Sequence, residues 1–234
     1  MPTYSWKRST LKHAKSDGTA EQILKIFHFA KLQGYKPLKV QADGNCFYRA
    51  VPLGCFGAEK FHTLLRMLSG IEVLLHPTAY DISHNEYIDI FEDPYLAHYS
   101  YDELCEGILK DSAYSRMLAV ACTNSVIGNG IMTYCPPTTV PKLLSNPLTK
   151  DVRGRGLKES RECTCTVMWS MMICPKNISD FQPNHFVLLR KKSEIPNVFI
   201  DLTDVENEGH CGVDDEHQVH INKNDSDDGL FDDP

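Results

Sequence analysis

The sequence predicts an α/β domain, a small β-sheet flanked by helices, that ends in an acidic tail. Apolar residues recur at helical spacing over 20–33, 59–75 and 101–126. Short apolar or alternating runs bounded by Gly, Pro and polar residues read as strands at 38–42, 130–135, 165–170 and 185–189. The chain is 42% hydrophobic, enough for a core, yet no apolar run nears the roughly eighteen residues that cross a bilayer.

Thr19-Ala-Glu-Gln22 has the spacing of a capping box, which predicts a helix over 20–33 with Thr19 as N-cap. Ile23, Ile26, Phe27 and Ala30 form its inner face and Gly34 stops it. Leu38–Ala42 alternates briefly and runs into Asp43-Gly44, a turn dipeptide. A second helix opens at or just after Asn45, and Pro52 is expected to interrupt it by removing an amide donor. Phe61, Leu64, Leu65, Leu68, Ile71 and Leu75 mark the inner face of a helix over 59–75. A further helix over 101–126 turns Leu104, Ile108, Met117, Ala121 and Cys122 inward. Gly130–Cys135 reads as a strand stopped by Pro136-Pro137, and 136–162, with four prolines and a basic VRGRG stretch, reads as a long loop. Cys165–Ser170 and His185–Leu189 read as buried strands.

Charge is unevenly distributed. Eleven acids and one lysine fall within 204–234, so a formal net charge of −7 leaves a body of +3 over 1–203. The tail carries few apolar residues and reads as solvated and disordered. Three regions are therefore expected: a basic arm and helix over 1–35, a folded body over 36–192 and an acidic tail over 193–234. The start of the chain is polar and basic without the apolar h-region of a secretory signal. Nine scattered cysteines, an odd number, then point to free thiols in a reducing compartment, cytoplasmic or nuclear.

Among these thiols Cys46 stands apart. A free thiol has a pKa near 8.5, so a nucleophile needs devices that favour the thiolate. A strand, an Asp-Gly turn and a Cys at the opening of a helix supply one, the partial positive charge of the helix N-terminus. The amides of Gly44, Asn45 and Cys46 converge there and are expected to hold the oxyanion of an acyl-transfer intermediate. A neighbouring imidazole is the second device. Asn184-His185-Phe-Val-Leu-Leu places a histidine at the entry of an apolar strand. A buried inert thiol and a structural histidine are the competing readings of both residues.

The words DGNCFYRA and, far downstream, NHFVLL resemble the ovarian tumour (OTU) family of cysteine proteases. Asp43, Gly44, Cys46, Arg49 and Ala50 fill the fixed positions of its Asp-Gly-x-Cys-x-x-Arg-Ala signature, and His185-Phe186-Val187 matches its late histidine strand. TVMWSMM followed by PNHFVLL looks like divergent, transposon-associated members. The resemblance spans about residues 36–192 and implies a papain-like fold with a small mixed sheet. It also implies a thiol-dependent deubiquitinase acting on ubiquitin or a ubiquitin-like modifier without metal or cofactor. Cys46 would be the nucleophile, His185 the general base and then acid, and Asp43 the acidic member. Asp43 either orients His185 or pins the turn. Many family members carry Asp or Asn two residues after the histidine, where this chain has Val187, and Asn184 is the other candidate orienter. A silent OTU-like module that binds ubiquitin or SUMO is the alternative.

Val198-Phe199-Ile200-Asp201-Leu202-Thr203, followed by acids, resembles a SUMO-interacting motif that would add a strand to its partner, or else is the domain's last strand. The basic stretch 150–161 lacks aromatic interleaving and argues against a nucleic-acid surface. Cys163, Cys165, Cys174 and His185 have the wrong spacing for a zinc knuckle.

Overall fold

Asp17 opens the first helix, α1 (Gly18–Ile26), because its Oδ1 accepts the amide of Ala20 at 2.8 Å. The predicted Thr19 cap is therefore two residues late, and the helix closes at Ile26 rather than 33. The computed structural model describes residues 14–27, 32–80, 100–128, 130–136, 148–152, 154–155, 163–177 and 180–194. The tail and the 198–203 motif lie outside the described residues, as does most of the 136–162 loop.

Five strands form one mixed sheet in the order β1-β5-β4-β2-β3. These are β1 (Tyr35–Leu38), β2 (Gly130–Tyr134), β3 (Asp151–Val152), β4 (Cys163–Ser170) and β5 (His185–Lys191). Among the described residues only the β2–β4 pair is parallel. The first strand lies three residues before its predicted start. Pro37 is tolerated there because β1 is an edge strand, where a missing donor breaks no inner ladder. The segment before α1 covers part of that edge, with Asp17 N–H donating to the Pro37 carbonyl and Lys39 N–H to that of Lys15.

Alternation along β4 and β5 divides the core. Met168, Val187 and Leu189 pack with Ala20 of α1 and Leu32 on one face. Cys165, Val167, Trp169, Phe186 and Leu188 join the larger cluster on the other, which contains α2 (Cys46–Phe56). Cys46, Phe47, Tyr48, Ala50, Val51, Pro52, Leu53 and Gly54 are all buried, so this helix has almost no free side. Pro52 does not interrupt it. The missing amide costs a helix interior about 3 kcal/mol, and burial on both flanks offsets that loss.

A 3₁₀ turn, Glu59–Phe61, leads into α3 (His62–Leu75). Its orientation reverses the sequence expectation at every expected position except Leu65. Leu65, Arg66, Ser69, Gly70 and Val73 face inward, while Leu64, Met67, Leu68, Ile71, Leu74 and Leu75 face outward. Small and hydrogen-bonding residues go inward because the neighbours demand it. A Cβ on Gly70 would lie 2.2 Å from Leu109 Cδ2, and Ser69 Oγ bonds Thr123 Oγ1 at 2.9 Å. The predicted helix over 101–126 is two helices, α4 (Tyr101–Leu109) and α5 (Met117–Ile127). Lys110 turns extended and Ser112 adopts φ 59°, which breaks the helix between them.

At the far end of α2, Arg190 Nη2 donates to the Gly54 carbonyl at 2.5 Å. A Cβ at Gly54 would lie 2.8 Å from both Cys165 Sγ and Leu188 Cδ1. Gly54→Ala is accordingly expected to cost about 1–3 kcal/mol through overpacking. Urea unfolding checks this, and a loss near zero would show slack between α2 and the sheet.

Candidate thiol site

The turn before Cys46 is built from its own side chains. Asp43 Oδ1 accepts the Asn45 amide at 3.0 Å, and Gly44 adopts φ 78°, a left-handed conformation suited to glycine. Arg49, one turn into α2, holds the same carboxylate in two-pronged fashion, Nη2 to Oδ2 at 2.5 Å and Nε to Oδ1 at 3.2 Å. The Arg49 hydrogen bond, ahead of the opposing effect of partial burial, lowers the Asp43 pKa to about 2. Asp43 is thus placed on the turn and on Arg49. Of the three amides expected at an oxyanion hole, that of Asn45 is engaged by Asp43.

A second loop clamps this turn from outside. Asn45, 2% exposed, donates from Nδ2 to Asp111 Oδ1 at 3.0 Å and accepts the Ser112 amide on Oδ1 at 3.4 Å. A Cβ on Gly44 would lie 1.8 Å from the Ser112 carbonyl oxygen, so the two backbones touch. Tyr114, two residues further on, stacks on Phe186 with ring centroids 5.6 Å apart, and Trp169 lies 4.2 Å from the same ring.

Cys46 is 1% exposed. Burial is the largest influence on its thiol and raises the pKa to about 11, and the charge of Asp43 adds to the rise. The amides of Phe186, Phe47 and Cys46 oppose both. The Phe186 amide donates to Sγ at 3.3 Å, bringing the strand that carries the predicted histidine onto the sulfur. The sulfur thus meets a strand amide from β5 at the N-terminus of α2, an end whose partial positive charge favours an anion.

His185 opens β5 opposite Ser170 and is 4% exposed. Burial lowers its pKa, with smaller opposed effects from Asp17 and Lys39. Below pH 6.5 the unfolded chain takes up this proton first, so the neutral buried ring favours the fold above that pH. Strand parity puts His185 with Val187 and Leu189, and Phe186 with the thiol face. Among the described residues no carboxylate or amide side chain bonds the imidazole. Asn184 Oδ1 instead accepts the Met172 amide at 3.1 Å and ties together the ends of the β4–β5 connection. Among the described residues no group of three or more His, Cys, Asp or Glu side chains is placed to hold a metal ion, and no helix is long and apolar enough to cross a membrane.

Residues 37–103 match the family model described as Vertnin, OTU domain. Over that segment the chain is OTU-like. The match contains the turn, Cys46 and Arg49, and ends before His185. No curated protein matches the chain. Solved OTU structures resemble it at low identity. The OTUD1 OTU domain is 15% identical with a TM-score of 0.45, covering 73% of this chain and 99% of its own. The h/ceOTUB1–ubiquitin aldehyde–UBCH5B~Ub complex gives 10%, 0.48, 76% and 89%. The Hazara virus OTU bound to ubiquitin gives 14%, 0.39, 76% and 86%.

Arg66, Asp111, Ser112 and Tyr114 were not singled out from sequence. Lys110-Asp-Ser-Ala, a polar cluster inside an otherwise apolar pattern, was the available signal for the loop. Arg66 sits between Leu65 and Met67 and reads as an ordinary surface cation.

Asp43 supplies a pH test of the turn. Its depressed pKa means that the stability it contributes is complete above about pH 4 and is lost as pH falls through 2. Melting temperature measured from pH 5 to pH 2 is expected to fall less steeply in Asp43→Asn than in the wild type. Parallel curves would show that the Asp43–Arg49 pair does not hold the folded turn.

Proposed function

We propose that the protein is a thiol hydrolase that cleaves the isopeptide bond after the C-terminal glycine of ubiquitin or a ubiquitin-like modifier. The observation that carries this reading is the Phe186 amide donating to the Cys46 sulfur at 3.3 Å at the N-terminus of α2, with His185 the residue next to Phe186. The OTU-like segment around Cys46 supports the substrate class. This reading requires the His185 ring, held neutral by burial on the opposite strand face, to turn toward the sulfur; it then accepts the thiol proton, and Sγ attacks the glycine carbonyl. The Cys46 and Gly44 amides receive the oxyanion. Collapse of the intermediate breaks the C–N bond, and the imidazolium gives its proton to the departing lysine amine. His185 then takes a proton from water, which hydrolyses the thioester and frees the glycine carboxylate and the thiol.

A second reading has a specific observation in its favour. The sulfur is buried, its pKa stands at about 11, and no described carboxylate orients His185. These are properties of a silent module that binds a modifier without cleaving it.

Ubiquitin carrying a C-terminal thiol-reactive warhead distinguishes the two. The hydrolase reading expects a covalent adduct with the wild type, none with Cys46→Ala, and at least a hundredfold slower labelling with His185→Ala. Binding of ubiquitin without an adduct selects the silent module. An adduct that survives Cys46→Ala assigns the chemistry to another thiol.

A further inference from the structure

Arg66 is a buried cation, 3% exposed, and among the described residues it forms no ion pair. The two terminal nitrogens of its guanidinium are committed to backbone carbonyls, while Nε meets no acceptor among the described residues. Nη1 donates to Gly107 at 3.3 Å, to Ile108 at 3.2 Å and to Lys110, all at the C-terminal end of α4. Nη2 donates to Ala113 at 2.5 Å and to Gly44 at 3.2 Å. One face of the group lies 4.5 Å from the Tyr48 ring. Three elements therefore meet on one planar ion: the end of α4, the loop that clamps Asn45, and the turn that precedes Cys46.

Planarity matters here. A guanidinium presents donors in a fixed fork, so carbonyls bound to it are fixed relative to one another. The Gly44 carbonyl is drawn toward Arg66 while the amide of the same peptide meets Asp43, which sets that peptide's orientation immediately before the thiol. The Gly44 carbonyl held by Nη2 lies two residues before Cys46, and Cys46 is among the groups whose charge favours the ionised guanidinium. The α4 carbonyls, the negative end of a helix dipole, compensate it in part.

We propose that Arg66 is the positioning residue of the thiol site: it fixes the Gly44 peptide and the 110–113 loop in one frame and keeps a positive charge beside the sulfur. This rests on the reading of Cys46 as the nucleophile. Other groups act on the pair from every side. Asp43 disfavours the thiolate and is itself held by Arg49, while Asp111 and Tyr48 favour the guanidinium. His185 heads the strand whose next amide meets the sulfur.

The test follows alkylation of Cys46 by iodoacetamide against pH in the full chain, read on the Cys46 peptide by mass spectrometry, with thermal unfolding in parallel. Arg66→Gln keeps two N–H donors and removes the charge. It is expected to raise the midpoint of the profile by about one unit, a tenfold lower rate at pH 7. Arg66→Lys keeps the charge and loses the fork. Its midpoint is expected to stay near the wild-type value while the plateau rate rises at least threefold, because the released turn exposes the sulfur. A folded Arg66→Gln protein with the wild-type midpoint overturns the proposal. If Arg66→Gln does not fold, Arg66→Lys decides, and a wild-type plateau overturns it. Iodoacetamide needs no modifier, so a wild type inert to the ubiquitin probe refutes the hydrolase reading separately.

Discussion

Burial of α2 on nearly all sides is the constraint from which the site follows. The helix lies with Val51 and Gly54 among sheet residues on one flank and with α3 on the other, and only Arg49 of its first nine residues stays partly exposed. A helix so enclosed cannot slide or rotate without opening the core, so its first residue is located by the packing of the other ten. That also explains why Pro52 leaves it continuous, since unwinding the helix there would expose Val51, Leu53 and the sheet residues against them. The Gly57 C-cap, at φ 73°, ends the helix cleanly and allows the chain to return toward the turn through Glu59.

The same enclosure sets the electrostatic problem at the thiol. Removing the sulfur from water penalises the thiolate, and Asp43 adds a like charge. Three amides and the Arg66 charge act in the opposite direction. Arg49 reduces the Asp43 effect by pairing with it. The resting thiol is consequently protonated, and the local donors have their largest effect once an anion forms, as a site that stabilises charge during a reaction requires. A silent module would keep these donors and lack a path by which His185 reaches that proton.

Sequence was informative where the signal is local. Asp43-Gly44 marks a turn because few residues adopt positive φ, and Asn45 is the helix boundary both by pattern and by observation. Short apolar runs located β4 and β5 to within two residues. Sequence failed where neighbours decide. The apolar stripe of α3 faces outward because Arg66, Ser69 and Gly70 have specific partners in α4, α5 and the turn, and periodicity carries no information about partners. The first helix began at Asp17 rather than Thr19 because two plausible caps lie two residues apart, and only the fold determines which one meets an amide. Arg66 was invisible for the same reason. Its acceptors are backbone carbonyls, one in the turn upstream and the others more than forty residues downstream, and a carbonyl has no letter in the sequence.

The contact between Gly44 and Ser112 bears on how such a site can change over generations. With a Cβ at position 44 placed 1.8 Å from the Ser112 oxygen, no side chain is admitted unless the loop withdraws. A withdrawn loop would in turn release Asn45, and with it the start of α2. Glycine at 44 and the conformation at 112 are therefore tied as one heritable unit, though 68 positions separate them. Loss at either position permits loss at the other, so lineages that abandon the chemistry should shed the pair together, while the buried helix behind it persists.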